Sequence, residues 1–398
     1  MDDLTLVAVV GIALFFDFTN GFHDTANSIA TSVSTRALSP RAAVASAAVL
    51  NFAGAFVSIE VAATIAKGIV DQEVITLDIV MAGLVGAFFF FKVAATVATG
   101  IVDPDAITLK IVLAGLVGAI TWNLITWYLG LPSSSSHALI GGVIGSAVAA
   151  TGGFSVVQWA GLKEKVLIPS LLAPLLGLLL AAALMTILLW LIRKRAPGPV
   201  NRLFRRLQLI SGGFVAFTHG TNDAQKTMGV ITLALIVSGH QSSEHFSVPL
   251  WVKISAATAM AAGSYAGGWR IIRTLGQRVA KLDPPQGFAA QTSTAVILWI
   301  TARYGYPVST THTVSGSVLG AGASTRFSAV RWGVAGNIVL AWVMTIPCAG
   351  LVGAGMEAIT RLPGGVAYVF VLTAAIAALA FLGRTLESRR LRAAAAQA

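Results

Sequence analysis

The sequence predicts an all-α integral membrane protein, a multi-pass helical bundle of two inverted repeats. Of its 398 residues, 56% are apolar and 11% are charged, with a mean hydropathy of +0.80. A soluble domain carries about 25% charged residues. Apolar segments long enough to cross a bilayer follow one another along the chain, and two polar motifs each recur once per half. This composition excludes an ordinary cytosolic enzyme.

The basic residues indicate membrane topology. The chain has 27 Lys and Arg against 16 Asp and Glu, a formal net charge of +11. These residues lie in short runs between apolar segments and form no basic stripe, so nucleic-acid binding is not expected. The acidic start lacks the basic region of a signal peptide. The single Cys348 excludes an intramolecular disulfide, and no structural metal is expected.

Eleven membrane spans are predicted, at about 20 apolar residues per crossing. They are 4–34, 41–66, 108–129, 133–151, 166–192, 208–237, 250–268, 287–304, 309–324, 330–356 and 364–383. The segments 133–151 and 309–324 are short with polar starts, so they are candidates for re-entrant helices.

Orientation follows from the positive-inside rule. With the acidic N-terminus outside, the basic clusters within 193–206, 270–281 and the C-terminal tail all become cytoplasmic. The predicted location is the plasma membrane. The predicted parts are a first membrane repeat (1–192), a basic cytoplasmic linker (193–207), a second membrane repeat (208–356), and a final helix with a basic cytoplasmic tail (357–398).

One segment is duplicated in tandem. Residues 61–88 match 93–120 at 20 of 28 positions with a period of 32, and because the repeat occurs once it is not a solenoid. The stretch 77–98 is long enough to cross the membrane. Lys92 lies within it, however, and one extra crossing would put Arg36 and Arg41 on the wrong side of the membrane. We therefore expect that it does not cross cleanly.

A second, more distant repeat relates the two halves. The motif GFHDTAN (21–27) interrupts the first span and GTNDAQK (220–226) the corresponding later one, while GLPSSSSH (130–137) aligns with GYPVSTTH (305–312). Five crossings before the linker would invert the second half relative to the first. This arrangement predicts inverted repeats around a midplane site made of broken helices.

Two aspartates lie within apolar spans. Because an ionisable side chain at bilayer depth costs roughly 2.5–3.5 kcal/mol, Asp24 and Asp223 are predicted to be functional. The alternative is a carboxylate paired with a nearby Lys or helix end. With Asn27 and Asn222 they offer oxygen ligands for a hard cation, and a buried Asp can also hold a proton. Lys226 either pairs with Asp223 or attracts an anion.

Two hydroxyl-rich segments begin predicted helices. Ser133 to Ser136 follow Pro132, and Ser309 to Thr311 follow Pro307. A helix N-terminus lined with hydroxyls can bind an oxyanion, although such residues can also serve only as caps or in helix packing. An oxyanion beside carboxylates requires a cation or proton between them. Cation and anion would then bind together, which is the physical basis of symport.

Other residues have open roles. His23, His137 and His312 are candidate proton carriers or, alternatively, packing or capping residues. Glu60 is either a buried gate or an interfacial residue. The glycine pairs 141/145 and 316/320 are expected to allow close helix packing.

The doubled aspartate motif and the doubled Pro-x-Ser-(Ser/Thr)-(Ser/Thr)-His segment resemble the inorganic phosphate transporter (Pit) family. The resemblance covers nearly the whole chain. It implies sodium- or proton-coupled phosphate uptake, inverted repeats, a homodimer and no cofactor beyond the coupling ion; some members carry metal–phosphate complexes. It implies ligand roles for Asp24, Asn27, Asn222 and Asp223, and phosphate binding by Ser134, Ser135, Ser136, Ser309, Thr310 and Thr311.

The prediction is a symporter that imports phosphate by alternating access. His23 replaces the family's Asn, which favours protons over sodium. Alternatives are a transporter of sulfate or another tetrahedral oxyanion, an anion channel, or an intramembrane hydrolase using Ser136 or Thr311 with the adjacent His. The hydrolase is disfavoured because adjacent residues on a helix point about 100° apart.

Overall fold

The computed structural model describes residues 2–57, 101–103, 106–241, 247–303 and 308–397. Within these ranges the regular structure is helical, apart from isolated β-bridges that pair Val102 with Val157 and Ala280 with Val330. The prediction of an all-α fold is confirmed. The duplicated segment 61–92, the stretch 77–98 and Glu60 fall outside the described residues.

The α-helices are numbered here in chain order over the described residues. They are α1 (Asp2–Ser34), α2 (Pro40–Val57), α3 (Leu109–Leu129), α4 (Ser135–Thr151), α5 (Trp159–Leu162), α6 (Ile168–Ile192), α7 (Pro197–Val237), α8 (Leu250–Ala266), α9 (Trp269–Arg273), α10 (Pro284–Arg303), α11 (Thr310–Ala323), α12 (Trp332–Thr360) and α13 (Gly365–Gln397). A π-helical turn, Lys163–Leu167, joins α5 to α6, and another, Thr274–Arg278, follows α9.

Several helices have the length and composition of membrane spans. Among the described residues, five qualify: Asp3–Ser34, Leu109–Leu129, Trp159–Ile192, Trp332–Thr360 and Gly365–Gly383. Their outer faces are apolar, as shown by the largely exposed side chains of Leu171, Leu351 and Leu379. Such exposed apolar side chains are suited to lipid, because soluble proteins rarely expose large apolar patches to water.

The aspartate motifs do not interrupt their helices. Both α1 and α7 run continuously through 21–27 and 220–226, so the predicted breaks at these motifs were wrong. The glycines serve helix packing instead. A side chain at Gly21 would overlap the carbonyl oxygen of Met260 on α8, and one at Gly220 would overlap that of Asn51 on α2.

The hydroxyl motifs do begin new helices. Helix α3 ends at Gly130, whose φ of 70° forms a left-handed cap, and α4 starts at Ser135 after a Ser134 cap. Helix α11 starts at Thr310 after a Ser309 cap. These two helices have 17 and 14 residues. At about 20 residues per crossing both helices are short, as the sequence predicts.

The predicted linker is mostly helical. Helix α7 begins at Pro197, so only 193–196 separates it from α6, and the rest of the predicted basic linker forms the start of α7. Proline is favourable in the first turn of a helix because the amide hydrogen that it lacks has no intrahelical partner there.

The two halves pack by the same scheme. Helix α1 packs on α8 as α7 packs on α2, and α4 packs on α12 as α11 packs on α6. At the second pair of contacts, the glycines 141 and 145 approach the backbone of Ile346 and Gly350, while the glycines 316 and 320 approach that of Pro174 and Leu178. Their predicted role in close packing is confirmed.

Candidate functional site

Helices α1 and α7 cross through buried polar contacts. His219 Nε2 lies 3.9 Å from Asp24 Oδ2, and Asn20 Nδ2 donates to Asp223 Oδ2 at 3.3 Å. A later residue of α1 therefore meets an earlier residue of α7, so the two helices run antiparallel here. All four side chains are at most 3% exposed.

Asp223 binds two cationic or potentially cationic groups. His219, one turn earlier on the same helix face, places Nε2 3.2 Å from Asp223 Oδ2, and Lys226 places Nζ 2.6 Å from Asp223 Oδ1. Lys226 also donates to Ser136 Oγ at 2.6 Å. Lys226 thus pairs with the carboxylate and also contacts the first hydroxyl motif.

Asp24 is contacted by hydroxyls from both halves of the chain. Ser135 Oγ donates to Asp24 Oδ2 at 2.9 Å, and Thr311 Oγ1 donates to Oδ1 at 3.4 Å. His23 Nδ1 lies 2.8 Å from Oδ1, and Asn27 Nδ2 donates to Thr311 Oγ1 at 3.0 Å. The two hydroxyl motifs, which start 175 residues apart in sequence (130 and 305), therefore meet at one carboxylate.

Some side chains of the two hydroxyl motifs cap helices, and others contact the charged groups of the cluster. Ser134 and Ser309 accept hydrogen bonds from the backbone N–H of His137 and His312, so for these two the capping alternative describes the observed contacts. Ser135, Ser136 and Thr311 instead contact the charged groups, and Thr310 is buried in the first turn of α11. The unpaired N–H groups of both first turns add partial positive charge.

The N-terminal ends of α4 and α11 meet through two histidines. The rings of His137 and His312 have centroids 4.9 Å apart, and His312 also packs 4.1 Å from the ring of Trp342. His312 Nδ1 lies 3.2 Å from the carbonyl oxygen of Ser170. Both rings make packing contacts, whereas His23 lies on a carboxylate.

Some predicted residues do not join the cluster. Asn222 is half-buried, and within the described chain no hydrogen bond ties it to the carboxylates. Glu60 is not among the described residues.

The sequence analysis missed His219 and Asn20. Each directly precedes the motif glycine and lies four residues before an Asp, a spacing that places both side chains on one helix face. The two halves carry Asn and His at equivalent positions in reversed order. Asn20 corresponds to His219, and His23 corresponds to Asn222. That spacing was a signal available in the sequence. Ser133, the first serine of the hydroxyl motif, contacts His23 Nε2 at 3.3 Å. Thr126 contacts the same atom at 3.0 Å and had no sequence signal.

The cluster combines groups for both signs of charge. Asp24, His219 and Asp223 each offer one ligand atom, all within 4.8 Å of one another, a set that can hold a cation. Lys226, the hydroxyls and the two helix N-termini can hold an anion. The two kinds of group are interleaved, so a cation and an anion bound here would be neighbours.

A multi-pass helical protein with such a buried charged cluster between its two halves has the architecture of a secondary transporter. The alternative dyad of Ser136 with His137 is not formed, because Ser136 accepts from Lys226 while the ring of His137 packs on His312. The chain belongs to the phosphate transporter family, whose model matches residues 20–91 and 79–353. The two matches overlap within the duplicated segment.

Curated relatives agree along most of the chain. The chain is 48% identical to a protein of Mycobacterium tuberculosis (strain H37Rv) over 90% of its own length and 78% of that protein. It is 47% identical to one of Rhizobium meliloti, covering 88% and 94%, and 42% identical to one of Bacillus subtilis, covering 88% and 95%. Each carries the name "Probable low-affinity inorganic phosphate transporter".

A solved structure shares the fold. "The sodium-dependent phosphate transporter" aligns with a TM-score of 0.74 at 21% identity, covering 90% of this chain and 99% of that one. The predicted family and the prediction of a membrane transporter rather than an enzyme are confirmed.

Proposed function

We propose that this protein imports inorganic phosphate across the plasma membrane by cation-coupled symport. The observation that carries the proposal is that Ser135 and Thr311, one from each hydroxyl motif, donate to the same carboxylate, Asp24. Phosphate would lie between the N-termini of α4 and α11, against these hydroxyls, Ser136 and Lys226.

The contacts supply a physical reason for coupling. Phosphate oxygens would accept the hydrogen bonds that Ser135 and Thr311 now give to Asp24, and would share Lys226 with Asp223. Asp24 would then lose its hydroxyl donors and Asp223 would share its ammonium partner, while phosphate adds further negative charge. Buried charge without a partner is strongly unfavourable, so anion binding requires a cation at the carboxylates.

We favour the proton as the coupling ion. His219 lies between the two carboxylates, and His23 lies against Asp24. Imidazole gains and loses a proton near neutral pH, and an imidazolium at His219 would be stabilised by both carboxylates. Sodium is the second candidate, because carboxylate and amide oxygens also suit hard cations.

Phosphate suits this site better than sulfate does. Phosphate keeps a proton near neutral pH and can donate it to an acceptor carboxylate such as Asp24 or Asp223, whereas sulfate has none to donate. Transport as a metal–phosphate complex is a second candidate function, supported by the three ligand atoms of Asp24, His219 and Asp223 within 4.8 Å.

Phosphate uptake into proteoliposomes tests the proposal. Labelled phosphate should accumulate when an inward proton gradient is imposed, should resist excess sulfate, and should need no added divalent metal. Accumulation with sodium alone would replace the proton by sodium, and a requirement for divalent metal would favour the complex. If no gradient drives accumulation, even after deletion of residues 61–92, the symport proposal is wrong.

Replacing Lys226 should weaken phosphate binding. We expect Lys226→Met to raise the KM for phosphate by about 10–100-fold, because a charge-assisted contact is worth roughly 1.5–3 kcal/mol. Lys226→Arg should restore part of the affinity. The measurement is the concentration dependence of uptake. An unchanged KM in Lys226→Met would show that this ammonium group pairs only with Asp223.

Topology and assembly remain part of the proposal. The antiparallel crossing of α1 and α7, and the meeting of the N-terminal ends of α4 and α11, support inverted repeats. An external N-terminus, a cytoplasmic C-terminus and a homodimer are predicted from the sequence and from the family resemblance.

A further inference from the structure

A third aspartate is buried on α1 outside the cluster described above. Asp17 lies two turns before Asp24 and is 0% exposed. Neither of its carboxylate oxygens has a hydrogen-bond partner among the described residues. An isolated ionised carboxylate is costly in apolar surroundings, and none of the described residues gives this one a direct hydrogen bond.

The series of facing residues on α1 and α7 continues from the cluster to Asp17 and Thr227. Asp24 faces His219, Asn20 donates to Asp223, and Asp17 interacts with Thr227. Each step moves three or four residues back along α1 and four residues forward along α7. The Thr227 side chain is buried, and its hydroxyl also lacks a partner that meets hydrogen-bond geometry.

Asn20 connects Asp17 to the cluster. Its Nδ2 donates to Asp223, while its buried Oδ1 has no partner in the described chain. Asn20 and Asp17 are three residues apart in a helix, so their side chains are neighbours on one face. The unpartnered atoms here are therefore all oxygens: two of Asp17, one of Asn20 and one of Thr227.

The number and type of these atoms indicate the ligand. A proton can satisfy only one of the acceptor oxygens, whereas a metal cation bound by oxygen satisfies several at once. Ca²⁺ takes six to eight oxygen ligands, and Mg²⁺ demands a near-ideal octahedral shell. With a single carboxylate and few oxygens, these three side chains match a monovalent cation better.

The carboxylate of this group occurs in the first half alone. The counterpart of Asp17 in the second half is Ala216, a buried apolar residue. The oxygen cluster is therefore not part of the constellation that the two halves share, and its presence does not follow from the repeat.

We infer that Asp17, Asn20 and Thr227 form a second cation site, for a monovalent cation such as Na⁺, beside the phosphate site. The inference rests on the proposed function for its role in coupling. Asp17 lies within electrostatic range of Asp223, His219 and Lys226, so a cation bound here would offset the negative charge that phosphate brings. Asn20 would link the two sites, because one end of its amide holds the cation and the other holds Asp223.

Binding of radioactive Na⁺ to the purified full chain, without phosphate, tests the site directly. We expect Asp17→Asn to bind one Na⁺ fewer per protein than wild type. Thr227→Val should weaken that component by about tenfold, the effect of one lost contact to a charged ligand. Thr232→Val is the matched control, since Thr232 lies on the same helix and bonds only its own backbone at Met228; its binding should equal wild type.

Two outcomes would overturn the inference. If wild type binds no Na⁺, the unpartnered carboxylate is protonated rather than metal-bound. If Asp17→Asn and Thr227→Val bind Na⁺ like wild type, any cation lies elsewhere. Thr227→Val keeps the carboxylate and nearly the same volume, so it answers the question even if Asp17→Asn does not fold.

Coupling measurements separate this inference from the proposed function. In proteoliposomes, the number of cations per phosphate at equilibrium should fall by one in Asp17→Asn. If wild type accumulates phosphate and this number is unchanged in the variant, the second site is wrong and the symport proposal stands. If wild type binds Na⁺ but accumulates no phosphate, and Asp17→Asn binds one Na⁺ fewer, the symport proposal is wrong and the cation site stands.

Discussion

Replacing Asp24 by Asn should abolish gradient-driven phosphate accumulation. The carboxylate accepts hydrogen bonds from Ser135 and Thr311 and lies against His23. A neutral amide cannot balance a coupling cation. Because a contact to a charged group is worth roughly 1.5–3 kcal/mol, the loss of the contact between carboxylate and cation should lower the initial rate of uptake by about 10–100-fold. Initial rates and final accumulation of labelled phosphate are the measurements.

Asp283→Asn is the matched control for this variant. Asp283 is exposed and precedes α10, where its Oδ1 accepts from the backbone N–H of Gln286, a contact that Asn can also make. Uptake by this variant should equal that of wild type. Folding of Asp24→Asn is checked by its elution profile in detergent. A folded Asp24→Asn protein that still accumulates phosphate under a gradient would contradict the assignment of Asp24 as a coupling residue.

Replacing Gly145 by Val should destabilise the fold more than any surface change. A Cβ at Gly145 would overlap the backbone carbonyl of Gly350 on α12, and a backbone atom cannot rotate aside as a flexible side chain would. Overpacking typically costs about 1–3 kcal/mol, occasionally more. We expect the top of this range, with a clear fall in melting temperature and a smaller yield of monodisperse protein.

The equivalent contact and a control sharpen this experiment. Gly320→Val should behave in the same way, because its Cβ would overlap the carbonyl of Leu178 on α6. Gly336 on α12 has open space where a Cβ would lie, so Gly336→Val should leave the melting temperature close to that of wild type. Equal melting temperatures for all three variants would show that the contacts between α4 and α12 and between α11 and α6 are loose.

Composition and local pattern predicted the class of the protein well. The low charge content and successive apolar segments led to a helical membrane protein, because lipid leaves few places for charged side chains. The duplicated Asp and hydroxyl motifs led to a central site and to the phosphate transporter family. Helix starts after Ser134 and Ser309 were also predictable, since serine caps a helix N-terminus.

The glycines of the two aspartate motifs were misleading about helix breaks, because tertiary packing outweighs their low helix propensity. Gly21 and Gly220 suggested breaks, yet both lie inside continuous helices that approach a neighbouring backbone closely. Glycine lowers helix stability by only about 1 kcal/mol relative to alanine, which close packing and backbone hydrogen bonding in the membrane outweigh.

Membrane class, buried aspartates and hydroxyl-rich helix starts follow from residue type and spacing within about 20 positions, which local sequence specifies. The partners of these residues do not. How α1 crosses α7 decides that His219 lies near both Asp24 and Asp223, and that Asp17 meets no hydrogen-bond partner among the described residues. The contact of Lys226 with Ser136 depends on how α7 meets α4. Crossing point and rotation arise from the summed packing of distant helices, so the charge balance of the site emerges only when those helices meet.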